Sequence, residues 1–267
     1  MKVKDKKYQA LQSNLKQLSS VVVAFSGGVD STFLLAAGKE ALGENVLAVT
    51  VSTPYVAGWE KEEAEEIADE LGVEHIILKY PLFENIRDNP PQRCYLCKKQ
   101  IFNAILGEAQ RRGYQGVADG TNIDDYQDIR PGIKALRELH VKSPLAESNI
   151  GKNEIRRFSR EMGLPTWDKP AYACLLSRLP FNTPIRQEIL DRIEQAERLI
   201  RNAGFPAARV RTHEDIARIE IPPGRLQEFI KESIRKELPQ QIKNFGYKYV
   251  TLDMEGYKMG SFNEPEK

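Results

Sequence analysis

The chain is poor in the residues that announce several common chemistries. Its 267 residues include three cysteines, three histidines and two tryptophans. A small, odd set of cysteines does not build a disulfide framework, so thiol or metal chemistry is the expectation. None of His75, His140 and His213 stands at zinc-finger spacing from a cysteine pair. An excess of one charge is also lacking: 39 basic and 38 acidic residues leave a formal +1, which argues against a broad nucleic-acid surface. No apolar run is long enough to span a bilayer. The N-terminus, Met-Lys-Val-Lys-Asp-Lys-Lys, leads into Tyr8, Leu11, Leu15 and Leu18, the spacing of a short amphipathic helix rather than a signal-peptide core. A cytoplasmic protein without membrane attachment is expected. Internal repeats and low-complexity segments are absent as well.

What is present is an alternation. Strand patterns at 20–25, 45–51, 74–79, 115–119 and 139–143 alternate with helix patterns at 30–42, 59–71, 97–112, 132–138 and 151–162. This predicts an α/β fold, a parallel sheet with helices on both faces, whose ligands gather at the carboxyl ends of the strands. An irregular stretch follows Pro165, with prolines at 170, 180 and 184 that forbid a continuous helix. It reads as a functional linker. Beyond it come a charged helix at 185–203, short strands at 207–211 and 217–221, a helix at 224–236 and a last strand at 247–253. Two domains are therefore expected, 1–180 with the linker and a small α+β domain at 181–267.

Residues 24–33, Ala-Phe-Ser-Gly-Gly-Val-Asp-Ser-Thr-Phe, join the first strand to the first α/β helix. Adjacent glycines let backbone approach a ligand, and a helix start offers N–H groups and a positive dipole end to an anion. Ser26, Gly27, Gly28 and Ser31 are candidates to cradle ATP phosphate, and Asp30 to cap the helix or hold Mg²⁺. A Walker loop is excluded: Gly38-Lys39 and Gly151-Lys152 both lack the following Ser/Thr and the glycine five residues before. The stretch resembles the PP-loop of N-type ATP pyrophosphatases, which cut ATP between the α and β phosphates. A second loop, Asp-Gly-Thr-Asn-Ile-Asp-Asp-Tyr-Gln-Asp-Ile-Arg-Pro-Gly at 119–132, follows the fourth strand. Its acidic residues suit magnesium or the fixing of Arg130 against phosphate, and Gly120 would let adenine pack on backbone.

Together with Ala-Cys-Leu-Leu-Ser-Arg-Leu-Pro-Phe at 173–181, Arg-Val-Arg at 209–211 and Tyr-Val-Thr-Leu-Asp at 249–253, these motifs resemble, in order and nearly end to end, the LarE sulfur transferases. The resemblance implies adenylation of the carboxylates of a pyridinium mononucleotide and their conversion to thiocarboxylates, on the route to a nickel-pincer nucleotide. It also implies a sulfide source and a homo-oligomer. In one branch the linker cysteine, here Cys174, gives up its own sulfur. This chain adds Cys94 and Cys97, so it is similar to the three-cysteine branch, for which the resemblance implies a [4Fe–4S] cluster on Cys94, Cys97 and Cys174. Three thiolates leave the fourth iron open for an extra sulfide. By the residues alone, a redox Cys-x-x-Cys pair at a helix start and a Cys₃His zinc site stay open beside the cluster.

A phosphorylated dicarboxylate calls for bidentate arginines. Arg178 beside Cys174, and Arg209 and Arg211 on one strand face, are the substrate candidates, with Ser177 to orient the substrate or close a turn. Lys258 stands where the resemblance implies a basic residue, as lysine rather than arginine. Two other functions are open: an iron–sulfur tRNA thiolase, disfavoured by the balanced charge and the lack of an evident RNA-binding appendage, and a non-enzymatic metal or sulfur carrier that binds AMP.

Overall fold

Apolar runs of strand length follow a first helix, and the sheet is built where they are most continuous. The structure is a computed structural model and describes residues 5–126 and 131–257. Two compact units emerge: Met1–Thr53, Gly58–Ile86 and Gln92–Lys169 form the first, and Pro54–Ala57, Arg87–Pro91 and Pro170–Lys267 the second. The longest segment of the second unit begins at Pro170, and its two short segments, Pro54–Ala57 and Arg87–Pro91, interrupt the first unit in sequence.

In the first unit the chain runs α1 (Lys6–Gln17), β1 (Val21–Ala24), α2 (Val29–Leu42), β2 (Val46–Ser52), α3 (Gly58–Glu70), β3 (Glu74–Lys79), α4 (Arg93–Arg112), β4 (Gly116–Ala118), α5 (Pro131–Glu138), α6 (Pro144–Glu147) and α7 (Lys152–Glu161). Among the described residues the four strands form one parallel sheet in the order β3-β2-β1-β4, with Val21 beside both Val46 and Gly116. The two-residue period of a strand sorts their side chains. Val21, Val23, Ala48 and Ala118 join a core with residues of α1, α2, α3 and α7. Val22, Leu47, Val49 and Val117 join Phe102, Ile105 and Leu136 of α4 and α5 on the other face. Burial on both sides is why these strands read as continuous apolar runs.

The strand expected at 139–143 is reduced to a single parallel bridge, Ala118 to Lys142. His140 takes a positive φ of 54° to end α5, and Pro144 already starts α6. Too few residues lie between them to extend the ladder. In the second unit, α8 (Gln187–Asn202), β5 (Arg209–His213), β6 (Ile216–Glu220), α9 (Leu226–Arg235), α10 (Leu238–Asn244) and β7 (Tyr249–Leu252) follow in order. β5 and β6 are antiparallel, β6 and β7 parallel, around a core that includes Ile200, Phe205, Val210, Ile219 and Phe229. Among the described residues no helix is long and apolar enough to cross a membrane.

Tyr8, Phe33 and Phe158 tie α1, α2 and α7 together: the Phe33 and Phe158 rings stack at 5.8 Å, Tyr8 lies 5.8 Å from Phe158, and all three are buried. Replacing Phe158 with Ala empties the centre of that cluster and is expected to cost about 3–5 kcal/mol, read as a lowered urea midpoint.

Candidate active site

β1 lies between β2 and β4, so the chain leaves it to one side and returns on the other. In an open parallel sheet such a switch of direction leaves a crevice at the carboxyl ends of the strands, and the loops 25–28 and 119–122 both issue there. Gly28 precedes α2 with no side-chain cap, leaving the first-turn N–H groups to whatever docks on them. The Ser31 hydroxyl lies 3.3 Å from Ser26 N and 3.1 Å from Ser26 Oγ, which folds the loop back over the helix start. Gly27 has a φ of +64°, and a Cβ there would meet the Ala64 backbone at 3.1 Å. Glycine is required twice over, by conformation and by space.

Gly120 is held just as closely. A Cβ on it would fall 3.0 Å from Ser31 N and 3.2 Å from the Asp30 carbonyl carbon. The Cβ side of Gly120 is therefore taken by the first turn of α2. The acidic loop around it is largely structural. Asp119 is buried and accepts from Thr121 Oγ1 at 2.5 Å and Ser143 Oγ at 2.7 Å. Asp124 accepts from Lys152 N at 2.7 Å, supplying α7 with the cap its Gly151 lacks. Asp125 accepts from Asn122 N at 3.0 Å. Arg130 lies outside the described residues, as does Lys258.

Asp30 stands in the first turn of α2, beside the loop. Its Oδ2 meets Lys152 Nζ at 2.5 Å, while its Oδ1 is buried without a hydrogen-bond partner. Burial holds the carboxyl above the usual range, Lys152 pulls it back down and Asp125 adds to the rise. An unpartnered buried oxygen beside an anion-binding loop fits a magnesium ligand. Two basic residues escaped the sequence reading. Lys152 is placed by α7, and Lys169 donates to Gly27 O at 2.8 Å and pairs with Glu63. Arg156 braces Lys169 by donating to the carbonyls of Trp167 and Lys169 at 2.7 and 2.9 Å. A lysine in the first turn of a helix opposes the dipole, and that was the signal available for Lys152. Behind the loop, Thr50 donates to Phe25 O at 2.7 Å and lies 2.8 Å from His75 Nε2. Its single proton being committed, the hydroxyl accepts there, and His75 carries its proton on Nε2.

In the second unit, Cys174 precedes a short 3₁₀ turn, Leu175–Arg178. Ser177 closes that turn, its hydroxyl donating to Cys174 O at 2.9 Å, which is the lesser of the two roles the sequence allowed it. Arg178 is enclosed in this unit. It is 2% exposed, grips both oxygens of Glu197 at 2.8 Å, and donates to Ala173 O at 2.7 Å and Cys174 O at 3.2 Å. A fork so enclosed does not reach out to a substrate. Arg209 and Arg211 are buried too: Arg209 donates to Ala171 O at 2.6 Å, and Arg211 to Ser177 O and Glu220, both at 2.6 Å. Cys94 and Cys97 lie in the first turn of α4, three residues apart and on one side of it, Cys94 exposed and Cys97 and Cys174 half-buried. Among the described residues, no three His, Cys, Asp or Glu side chains are gathered as a metal site.

A parallel sheet with a Ser-Gly-Gly loop at its switch point, a helix start behind it and a carboxylate with one unpartnered oxygen beside it defines a nucleotide-binding α/β protein of the PP-loop class. The family model described as "Queuosine biosynthesis protein QueC" matches residues 20–93, which span β1 to β3. An uncharacterized protein of Synechocystis sp. is 40% identical over 261 residues, 97% of each chain. The pyridinium-3,5-bisthiocarboxylic acid mononucleotide synthase of Lactiplantibacillus plantarum is 36% identical over 261 residues, 97% of this chain and 94% of its own. The tRNA-specific 2-thiouridylase MnmA of Desulforamulus reducens matches at 27% over 56% of this chain. The chain belongs to the LarE family, that of the Lactiplantibacillus plantarum synthase.

Burial holds the His75 imidazole below its usual value, with Glu65 and Asp69 pulling the other way. The unfolded chain then takes up the proton first, so stability is lost as pH falls below about 6.5. In His75→Gln, the drop in urea midpoint between pH 7 and pH 5 is expected to be smaller than in wild type.

Proposed function

We propose that the chain is an ATP-dependent sulfur transferase that adenylates the carboxylates of a pyridinium biscarboxylate mononucleotide and replaces an oxygen of each with sulfur. The observation that carries the reading is the buried, unpartnered Asp30 oxygen beside the Ser26–Ser31 loop, in a chain aligned over 97% of its length with a synthase of the bisthiocarboxylic product. The loop N–H groups and the Ser26 and Ser31 hydroxyls receive phosphate, Asp30 would hold Mg²⁺, which would shield the phosphate charge, and Lys152 beside Asp30 is placed to meet that charge as well. A substrate carboxylate oxygen attacks the α phosphorus, pyrophosphate leaves, and the acyl carbon is bonded to AMP. A sulfur nucleophile then attacks that carbon, and the C–O bond to AMP breaks with its electron pair on the departing phosphate. For Arg209 and Arg211 to meet a substrate anion, the carbonyls of Ala171 and Ser177 must give up their donors.

For the sulfur, the reading assigns Cys94, Cys97 and Cys174 as ligands of a [4Fe–4S] cluster. Three thiols fit it by donor chemistry, which is what supports the assignment. Such a cluster supplies one open iron on which inorganic sulfide can be held. Without it, Cys174 is itself the sulfur donor. The partial match to a tRNA thiolase spans little more than half of the chain, whereas the match to the mononucleotide synthase runs end to end. That difference favours the small-molecule substrate. A homo-oligomer fed by a separate sulfide source belongs to the same reading.

Asp30→Ala is expected to lower pyrophosphate release from ATP plus the mononucleotide by about 100-fold or more. Wild-type release in that variant removes the PP-loop assignment. Anaerobic reconstitution should give about four irons and four acid-labile sulfides per chain, lost in a Cys94→Ala, Cys97→Ala double variant. Iron-free protein in both cases leaves Cys174 as the donor, visible by mass as loss of its sulfur after one turnover.

A further inference from the structure

We propose that the buried Arg178–Glu197 pair is a positioning device for the sulfur-bearing turn at Cys174, a proposal that rests on the sulfur-transfer reading above. Eight residues, Ala171 to Arg178, run through the second unit with little regular structure of their own, and their carbonyls need donors. Arginine side chains supply them. Ala171 O is taken by Arg209, Ala173 O and Cys174 O by Arg178, and Ser177 O by Arg211. The turn is thereby held by side chains drawn from β5 as well as from itself.

Glu197 sets the register of this assembly. It sits on α8, 4% exposed, and its Oε1 accepts both from Arg178 Nε at 2.8 Å and from Val210 N at 2.9 Å. One carboxylate thus joins the helix, the strand and the turn. Leu175 N, next to the cysteine, donates to the buried Tyr55 O at 2.9 Å, so the turn is fixed from a further direction. A buried ion pair is a poor way to add stability, since well-packed apolar groups often match it. Its strength is geometry: the flat guanidinium fork fixes direction at both oxygens of Glu197, which an ammonium cannot do. We therefore assign Arg178 and Glu197 to holding the Cys174 sulfur on its line of approach, whether it donates itself or binds the cluster.

The experiment compares Arg178→Lys, which keeps the charge and loses the fork, with Glu197→Gln, which keeps the shape and loses the charge. Both half-reactions are followed with ATP and the biscarboxylate mononucleotide. In both variants, thiocarboxylate formation is expected to fall roughly 10- to 100-fold, while pyrophosphate release and the KM for ATP stay at wild-type values. Hydrogen exchange over 171–179 is expected to quicken in Arg178→Lys. A parallel fall of both half-reactions, or unchanged thiocarboxylate formation, overturns the proposal. If the wild type releases no pyrophosphate, the functional reading fails by itself. Exchange then decides the positioning alone, with unchanged protection in Arg178→Lys counting against it.

Discussion

Close approach of backbone to backbone around the β1–α2 turn is the constraint on which the site depends. Gly27 lies against the backbone of α3 at Ala64, and Gly120 lies against the first turn of α2. Those two contacts bring three consecutive segments of the sheet's upper edge to within a methyl group of each other. A side chain at Gly120 would press on the first turn of α2, which carries Asp30 and Ser31, and one at Gly27 would press on α3. The dry core beneath, where Phe33 and Phe158 stack, keeps α2 from yielding. Anion recognition here is a consequence of tight packing more than of any single donor.

The two units treat charge in opposite ways. Around the phosphate loop the cations are partly exposed and their partners exchangeable: Lys152 is 34% exposed and its carboxylate partner 26%. Such a pair contributes little to stability, and it can reorganise when a more highly charged ligand arrives. Around Cys174 the guanidinium groups are enclosed, and the carboxylates that balance them, Glu197 and Glu220, are 4% and 2% exposed. Loss of either partner would strand a charge in a low dielectric, so this arrangement is committed to one geometry.

The sheet was legible in the sequence because its central strands, β1 and β2, are buried on both faces and read as unbroken apolar runs, and the Ser-Gly-Gly loop because its requirements are local. The bridge at Lys142 was read as a strand, since Val141 and its neighbours have strand composition while the limits set by His140 and Pro144 come from backbone conformation. The short helix Leu238–Asn244 has no counterpart in the sequence reading; Pro239 stands in its first turn, where proline is well tolerated. In the site, Lys152 lies 122 positions from its partner Asp30, a pairing that composition cannot supply. Alternation placed Arg209 and Arg211 on one strand face correctly. It could not tell that this face is covered, and so their contacts with carbonyls came only with the fold.

The division of the chain has a consequence for how it is made. It passes between the two units five times, at residues 53/54, 57/58, 86/87, 91/92 and 169/170. Tyr55, Arg87 and Asn89 leave the ribosome long before Leu175, Ile185 and Asn182, the residues whose amides they await. During synthesis the early segments therefore wait without their backbone partners until the later part of the second unit has been made. A fragment ending near residue 169 would expose them permanently, and one beginning there would lack them. The two units are separable as packing bodies but not as genes, which ties the nucleotide loop and the cysteine turn to a common inheritance.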